Sequence, residues 1–176
     1  MRYSARGAGR KESESRQLSM RRVELIMSEN LYQWTNETMN KQYLLDTNIC
    51  IFCMRGKYEM NRKIALAGIN NCYLSEITVA ELYYGAENSD NPRKTMRETE
   101  EFVSLFRVIS FGKSLHTFGR EKAYLTSVGR KIENFDMSIG AIALQHKMVM
   151  VTDNIDHLGR IRGIEIENWK TDEPIL

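Results

Sequence analysis

The sequence predicts an α/β domain built on a parallel sheet, and three observations carry that prediction. Short apolar runs alternate with stretches of helical character from Tyr43 to Ile166. Several of those runs are continuously apolar, as strands buried on both faces are, instead of alternating apolar with polar. The chain of 176 residues, 42% apolar and 27% charged, fits one domain.

In chain order, Met1 to Thr38 hold few apolar residues and no sustained period. They read as disordered or as an extension misassigned to the chain, with a short helix around Met20 to Leu31 on Val23, Ile26 and Met27. Met39-Asn40-Lys41-Gln42 lead straight into the first strand, so Met39 is a natural start and the domain is expected over 39–176. Tyr43-Leu44-Leu45 is a buried-type strand ended by Asp46-Thr47-Asn48, and Ile49 to Met54 reads as helix. Cys72 to Ser75 is a second strand, followed by a helix from Thr78 to Ala86. A helix over Thr95 to Phe106, with Phe102, Leu105 and Phe106 on one face, leads to a strand at Arg107 to Phe111. Ser114 to Lys131 reads as helix, Asp136 opens another to about His146, Met148 to Thr152 is a strand, and Ile164 to Ile166 is the last.

Composition narrows the function classes. Two prolines, eleven glycines without period and three cysteines exclude collagen-like, proline-rich and disulfide-scaffold chains. No apolar run reaches the ~20 residues of a membrane-spanning helix, and the polar N-terminus lacks a signal-peptide core. A cytoplasmic, reducing location without membrane contact is expected. Residues 39–176 hold eighteen Lys/Arg and eighteen Asp/Glu. A nucleic-acid partner must therefore be met by local basic patches such as Arg55/Lys57/Arg62/Lys63, Arg120/Lys122 or Arg130/Lys131.

In a parallel sheet with right-handed crossovers, strand C-termini and helix N-termini share one edge, the edge at which open α/β sheets bind ligands. Asp46 follows the first strand, Glu81 lies in the first turn of the helix after the second, Asp136 starts the helix before the fourth, and Asp153-Asn154 follow the fourth. Each has a plainer reading: Asp46 and Asn48 as turn or N-cap residues, Thr78-x-x-Glu81 as a capping box, Asp136 after Phe135 as an N-cap with a hydrophobic staple. Taken together the plainer readings weaken, because caps do not require carboxylates at one sheet edge. Two carboxylates about 4 Å apart repel by roughly 4 kcal/mol at an effective dielectric of about 20. Hard oxygen donors without nearby His or Cys favour Mg²⁺, with Mn²⁺ as a substitute, over zinc. The chemistry that uses such a cation with open positions is hydrolysis of a phosphodiester by an activated water.

The residues at this edge also carry a resemblance. Leu44-Leu45-Asp46-Thr47-Asn48-Ile49-Cys50-Ile51, Thr78 to Ala86, Phe135 to Ala143, Val151-Thr152-Asp153-Asn154 and Gly163 to Trp169 resemble, in this order and spacing, the VapC-type toxins of the PIN-domain nucleases. The resemblance implies a three-layer α/β/α fold with a central, mainly parallel sheet. It implies a Mg²⁺-dependent endoribonuclease, the toxin of a type II toxin-antitoxin pair, in a family some of whose members cut initiator tRNA at the anticodon stem-loop. Its partners are then an RNA, a cognate VapB-like antitoxin and a second copy in a homodimer. By position Asp46, Glu81 and Asp136 match the family's acidic triad, and Asn154 its fourth site, supported by the Thr152 hydroxyl and Asn48. Asp46 and Asp136 match the metal positions, with Glu81 and Asp153 as further candidates. Glu81 completes the cluster or positions water, and Asn154 orients water or substrate. Which of Asp153, Asn154 and Asp156 points inward stays open at this level.

Other readings compete. A catalytically silent RNA- or partner-binding module keeps the same edge, and a haloacid-dehalogenase-like phosphatase uses an Asp nucleophile, though it wants Asp-x-Asp-x-Thr where this chain has Asn48 and Cys50. Cys50-x-x-Cys53 suits a redox pair less well than two buried small hydrophobes among Ile49, Ile51 and Phe52, and zinc on Cys50, Cys53, Cys72 and a scattered His is equally weak. Tyr83-Tyr84 offers rings on which RNA bases stack, with at least one expected in the core, and Arg160-x-Arg162 offers phosphate contacts.

Overall fold

The computed structural model describes residues 41–170, and the expectations for residues 1–38, including the helix around Met20 to Leu31, lie outside them. Five strands, β1 (Tyr43–Leu45), β2 (Cys72–Ser75), β3 (Arg107–Ile109), β4 (Val149–Val151) and β5 (Glu165–Glu167), form one sheet in the order β3-β2-β1-β4-β5. All four pairings are parallel. The described helices are α1 (Thr47–Met54), α2 (Met60–Ala67), α3 (Glu76–Glu87), α4 (Pro92–Val103), α5 (Leu115–Ser127), α6 (Asn134–His146) and the single turn α7 (Ile155–Leu158).

The twofold period of a strand sorts its side chains between two cores. Tyr43, Leu45, Cys72, Leu74, Val149 and Val151 join Ile49, Ile64, Leu82 and Phe106 on one face. Leu44, Tyr73 and Met150 join Leu125, Met137, Ile142 and Leu158 on the other. The three central strands are thus buried throughout and apolar except for Ser75 at the end of β2, because neither face meets water, and the expected helix–sheet–helix layering follows.

Several boundaries differ from the sequence reading. The helix expected at Thr95–Phe106 begins at Pro92, because Asn91 accepts from the Lys94 N–H and proline suits the first turn, and it ends at Val103. Leu105 consequently leaves the helical face and is 59% exposed. The helix expected to reach Lys131 stops at Ser127: Gly129 takes φ +70°, and the Arg130 N–H closes onto the Leu125 carbonyl at 2.8 Å. Helix α2 was not foreseen; it buries Lys63, whose ammonium donates to the Trp169 carbonyl at 2.6 Å. Trp169 packs on Tyr43 with ring centres 5.2 Å apart, closing the first core from the chain's far end.

The sheet order makes β1 and β4 neighbours although they are far apart in sequence, so connections leave in opposite directions on either side of them. That is the switch point where the carboxyl edge of an open α/β sheet opens into a crevice. Leu45 pairs with Val151, and the Asp46 N–H continues the ladder to the Val151 carbonyl at 2.9 Å. Asp46 and Thr152 therefore leave the sheet side by side.

Candidate active site

Asp46 is the N-cap of α1, so its plainer reading is correct as far as it goes: Oδ1 accepts from the Thr47 N–H at 2.8 Å. A cap leaves the second oxygen free, yet here Oδ2 accepts from the Thr152 hydroxyl at 2.6 Å and from Asn48 Nδ2 at 2.9 Å. Asp46 is 5% exposed and has no ion pair among the described residues. Burial pushes its carboxyl up to about 6, against the pull of the Thr152 and Thr47 hydrogen bonds, and the charges of Asp136 and Glu81 raise it further. Those two carboxylates are thus close enough for Asp46 to feel both.

Thr152 and Asn48 organise the floor. The Thr152 hydroxyl that donates to Asp46 also accepts from the Asn154 N–H at 2.9 Å and from Asn48 Nδ2 at 3.3 Å, while Asn48 Oδ1 accepts from the Asp153 N–H at 3.3 Å. The chain after β4 is in this way bent over Asp46, and Asn154 Nδ2 donates to Asp136 Oδ2 at 2.9 Å. Of Asp153, Asn154 and Asp156, Asn154 is the one with a hydrogen bond to Asp136 among the described residues. Asp153 is tied instead to Lys170 at 2.9 Å and to Asn168 Nδ2 at 3.4 Å, and Asp156 lies exposed on α7.

Glu81 and Asp136 correct two expectations. Ser75 is the N-cap of α3 and accepts from the Thr78 N–H, so Thr78-x-x-Glu81 is no capping box and Glu81 sits in the second turn, where Oε2 accepts from the Thr47 hydroxyl. Helix α6 starts at Asn134 with Glu133 before it, so Asp136 lies inside the first turn, and Phe135 is 58% exposed and staples nothing. Neither carboxylate is accounted for by capping. Two polar contacts escaped the sequence reading: Thr47, legible only as the middle of Asp46-Thr47-Asn48, and His157, whose Nδ1 lies 3.6 Å from Asp136 Oδ2.

The donor set suits a hard cation. Of the roughly four lone-pair positions of a carboxylate, Asp46 has committed three, and Asp136 Oδ1 has no partner among the described residues. Among the described residues no three His, Cys, Asp or Glu side chains are grouped so as to hold a metal ion by themselves. An ion at this edge would then be held by one or two carboxylates and complete its shell with water and phosphate oxygens, the habit of Mg²⁺. Zinc and redox chemistry on the cysteines are not supported: Cys50, Cys53 and Cys72 are free and buried, and burial raises all three thiols, Cys72 to about 12.

The remaining candidates divide. Tyr84 is 73% exposed while Tyr83 packs against the first core, as expected of the pair. Arg162 is committed to Glu121 at 3.0 and 3.1 Å and lies over the Tyr124 ring, and Arg160 donates to the Asp156 and Lys131 carbonyls, so neither is a free phosphate ligand. Of the basic patches, Lys63 is buried, Arg62 pairs with Glu59, and Arg120 and Lys122 are engaged by Glu121 and Asn134. Beside Glu81 an apolar groove of about 1120 Å³ runs between α1, α2, α3 and α4, with Ile51, Leu82, Phe102 and Leu105 on its walls. No helix among the described residues is long and apolar enough to cross a membrane.

The fold and this edge can now be set beside known proteins. The PIN domain family model matches residues 43–163. Over 130 residues, 73% of this chain and 98% of the relative, the sequence is 35% identical to the tRNA(fMet)-specific endonuclease VapC of Salmonella typhimurium. It is 34% identical over 130 residues to Ribonuclease VapC2 of Haemophilus influenzae, again 98% of that protein. The crystal structure of DNA-bound VapBC from Salmonella typhimurium superposes with TM-score 0.69 at 31% identity, covering 73% of this chain and 98% of that one. VapBC2 from Rickettsia felis, bound to a DNA fragment from its promoter, gives TM-score 0.68 at 30% identity, covering 72% and 98%. The chain belongs to the PIN-domain family, among its VapC-type ribonucleases. The phosphatase reading falls with that membership.

Proposed function

We propose that this chain is a Mg²⁺-dependent endoribonuclease, the toxin of a toxin-antitoxin pair, with Asp46, Glu81, Asp136 and Asn154 as its catalytic residues. The observation that carries the reading is Asp46: a buried carboxylate, supplied with neutral donors only, beside two further carboxylates at the sheet's switch point. Asp46 and Asp136 would hold the cation, which when bound acidifies a water and offsets the charge on the phosphate oxygens. Thr152 and Asn48 fix the Asp46 carboxylate against rotation, and Asn154 does the same for Asp136, whose other oxygen has no partner among the described residues. Glu81, oriented by Thr47, positions the attacking water. No side chain need form a covalent intermediate.

The substrate and partner assignments rest on likeness. The relative named for tRNA(fMet) supports a structured RNA, with initiator tRNA as the first candidate. The VapBC complexes support a cognate VapB-like antitoxin, for which the apolar groove beside Glu81 offers a surface. A homodimer in the cytoplasm is the arrangement that the family resemblance implies. The silent binding-module reading is less well supported, because capping and turn formation leave Glu81 and Asp136 unexplained.

The test is a gel of total tRNA incubated with the full chain in Mg²⁺ or Mn²⁺, in EDTA, and with Asp136→Asn. Cleavage is expected only in the first condition, with the variant slower by at least about 10²-fold. Cleavage that persists in EDTA or in the variant would refute the assignment.

A further inference from the structure

We propose that the loop 128–133, together with the facing end of α7, is the rim that grips the phosphates of the RNA strand, with Arg130 and Lys131 as the contacting cations. The inference rests on the ribonuclease reading and names the surface that reading requires. A polyanion approaching Asp46, Glu81 and Asp136 meets like charge that one bound divalent ion offsets only locally, so cations beside the carboxylates are needed to hold the rest of its backbone.

The loop meets that need by position. Arg130 and Lys131 are exposed, and among the described residues neither side chain has a hydrogen-bond or ion-pair partner. They lead directly into α6, whose first turn carries Asp136. The loop is held in place: Gly129 and the Arg130–Leu125 backbone bond set its start, and Arg160 staples it to α7 by donating to both the Lys131 carbonyl at 3.2 Å and the Asp156 carbonyl at 2.8 Å. Asn154, which holds Asp136, is the N-cap residue of α7, and α7 carries His157 beside the same carboxylate. The loop is thus joined both to the first turn of α6, which carries Asp136, and through Arg160 to α7, whose Asn154 and His157 lie against the same carboxylate. Glu133 and Asp156 are exposed in the same rim and do not pair with either cation among the described residues. Another exposed basic pair, Arg55 and Lys57, follows the far end of α1, one helix length from Asp46.

Binding of bulk tRNA to the full chain carrying Asp136→Asn tests this without cleavage, across a range of salt. Adding Arg130→Gln/Lys131→Gln is expected to raise Kd about tenfold near 0.1 M salt and to flatten the slope of log K against log salt by about 1.4, two contacts at ~0.7 each. Adding Arg55→Gln/Lys57→Gln is expected to change neither, and thermal melts matching the parent's show that both variants fold. An unchanged Kd and slope for the rim variant would overturn the proposal, as would an equal loss from Arg55 and Lys57. A slope change seen with a DNA duplex but not with tRNA would also overturn it, assigning the rim to DNA. If the chain with Asp136 intact cleaves RNA while the rim variant binds normally, only this inference fails; if the chain neither cleaves nor binds RNA, the ribonuclease reading fails with it.

Discussion

Asp46 and Glu121 are carboxylates of similar burial, 5% and 3% exposed, in very different company. Glu121 on α5 receives Arg162 through two hydrogen bonds and Arg120 through a third, and these hold its carboxyl below the usual range, the Arg162 contact foremost. Asp46 receives a backbone N–H, a hydroxyl and an amide, none of them charged, and burial carries its carboxyl up to about 6. Burying an anion is costly unless a cation accompanies it. Where the carboxylate serves to tie α5 to the segment after α7, the chain supplies that cation itself. At the sheet's switch point it does not, and under the proposed function an ion from solution would satisfy the charge.

Neutralising each carboxylate in turn sharpens the contrast. Asp46 keeps its proton longer folded than unfolded, so its contribution to stability is fully present below about 3.8 and is lost as pH rises through about 6. That loss amounts to about 3 kcal/mol at neutral pH in the absence of divalent cations. In EDTA the parent should therefore lose melting temperature between pH 4 and pH 7, and Asp46→Asn, which has no carboxyl to ionise there, should lose less while abolishing cleavage. An equal loss in parent and variant over that range would show that the site is satisfied without an ion. Glu121→Gln should move the other way and by less, because Arg162 is half-exposed. A carboxyl held down in the folded state stabilises above its unfolded pKa and ceases to do so as pH falls through the folded value. The expected result is a melting temperature a few degrees lower at pH 7, with the deficit closing in acid and cleavage retained. Equal deficits at both pH values would remove the ion pair from the explanation.

How much of this was written locally explains what the sequence disclosed. The strands Tyr43–Leu45 and Val149–Val151 are readable because burial on both faces makes them continuously apolar. Asp46, Glu81, Asp136 and Asn154 are placed at one edge by topology alone. What a local reading misplaces are positions settled by contacts distant in sequence. Asp153 and Asn154 are adjacent and similar in size, and only Lys170 and Asp136 decide which faces the site. Arg162 looks like a free phosphate ligand until its partner 41 positions away is known, and Lys63 looks like surface until it meets the Trp169 carbonyl. Helix starts shift for a related reason. Ser75 and Glu133, not the carboxylates themselves, precede the first turns of α3 and α6, so Glu81 and Asp136 are not caps.

The central claim is that Asp46 is a buried charge awaiting a cation, and titration of Mn²⁺ into the full chain at pH 7, followed by its electron paramagnetic resonance signal, tests it most directly. The parent and Glu121→Gln should bind the ion alike, and Asp46→Asn should lose it. Binding by Asp46→Asn equal to the parent's, or no binding by the parent, would contradict the account.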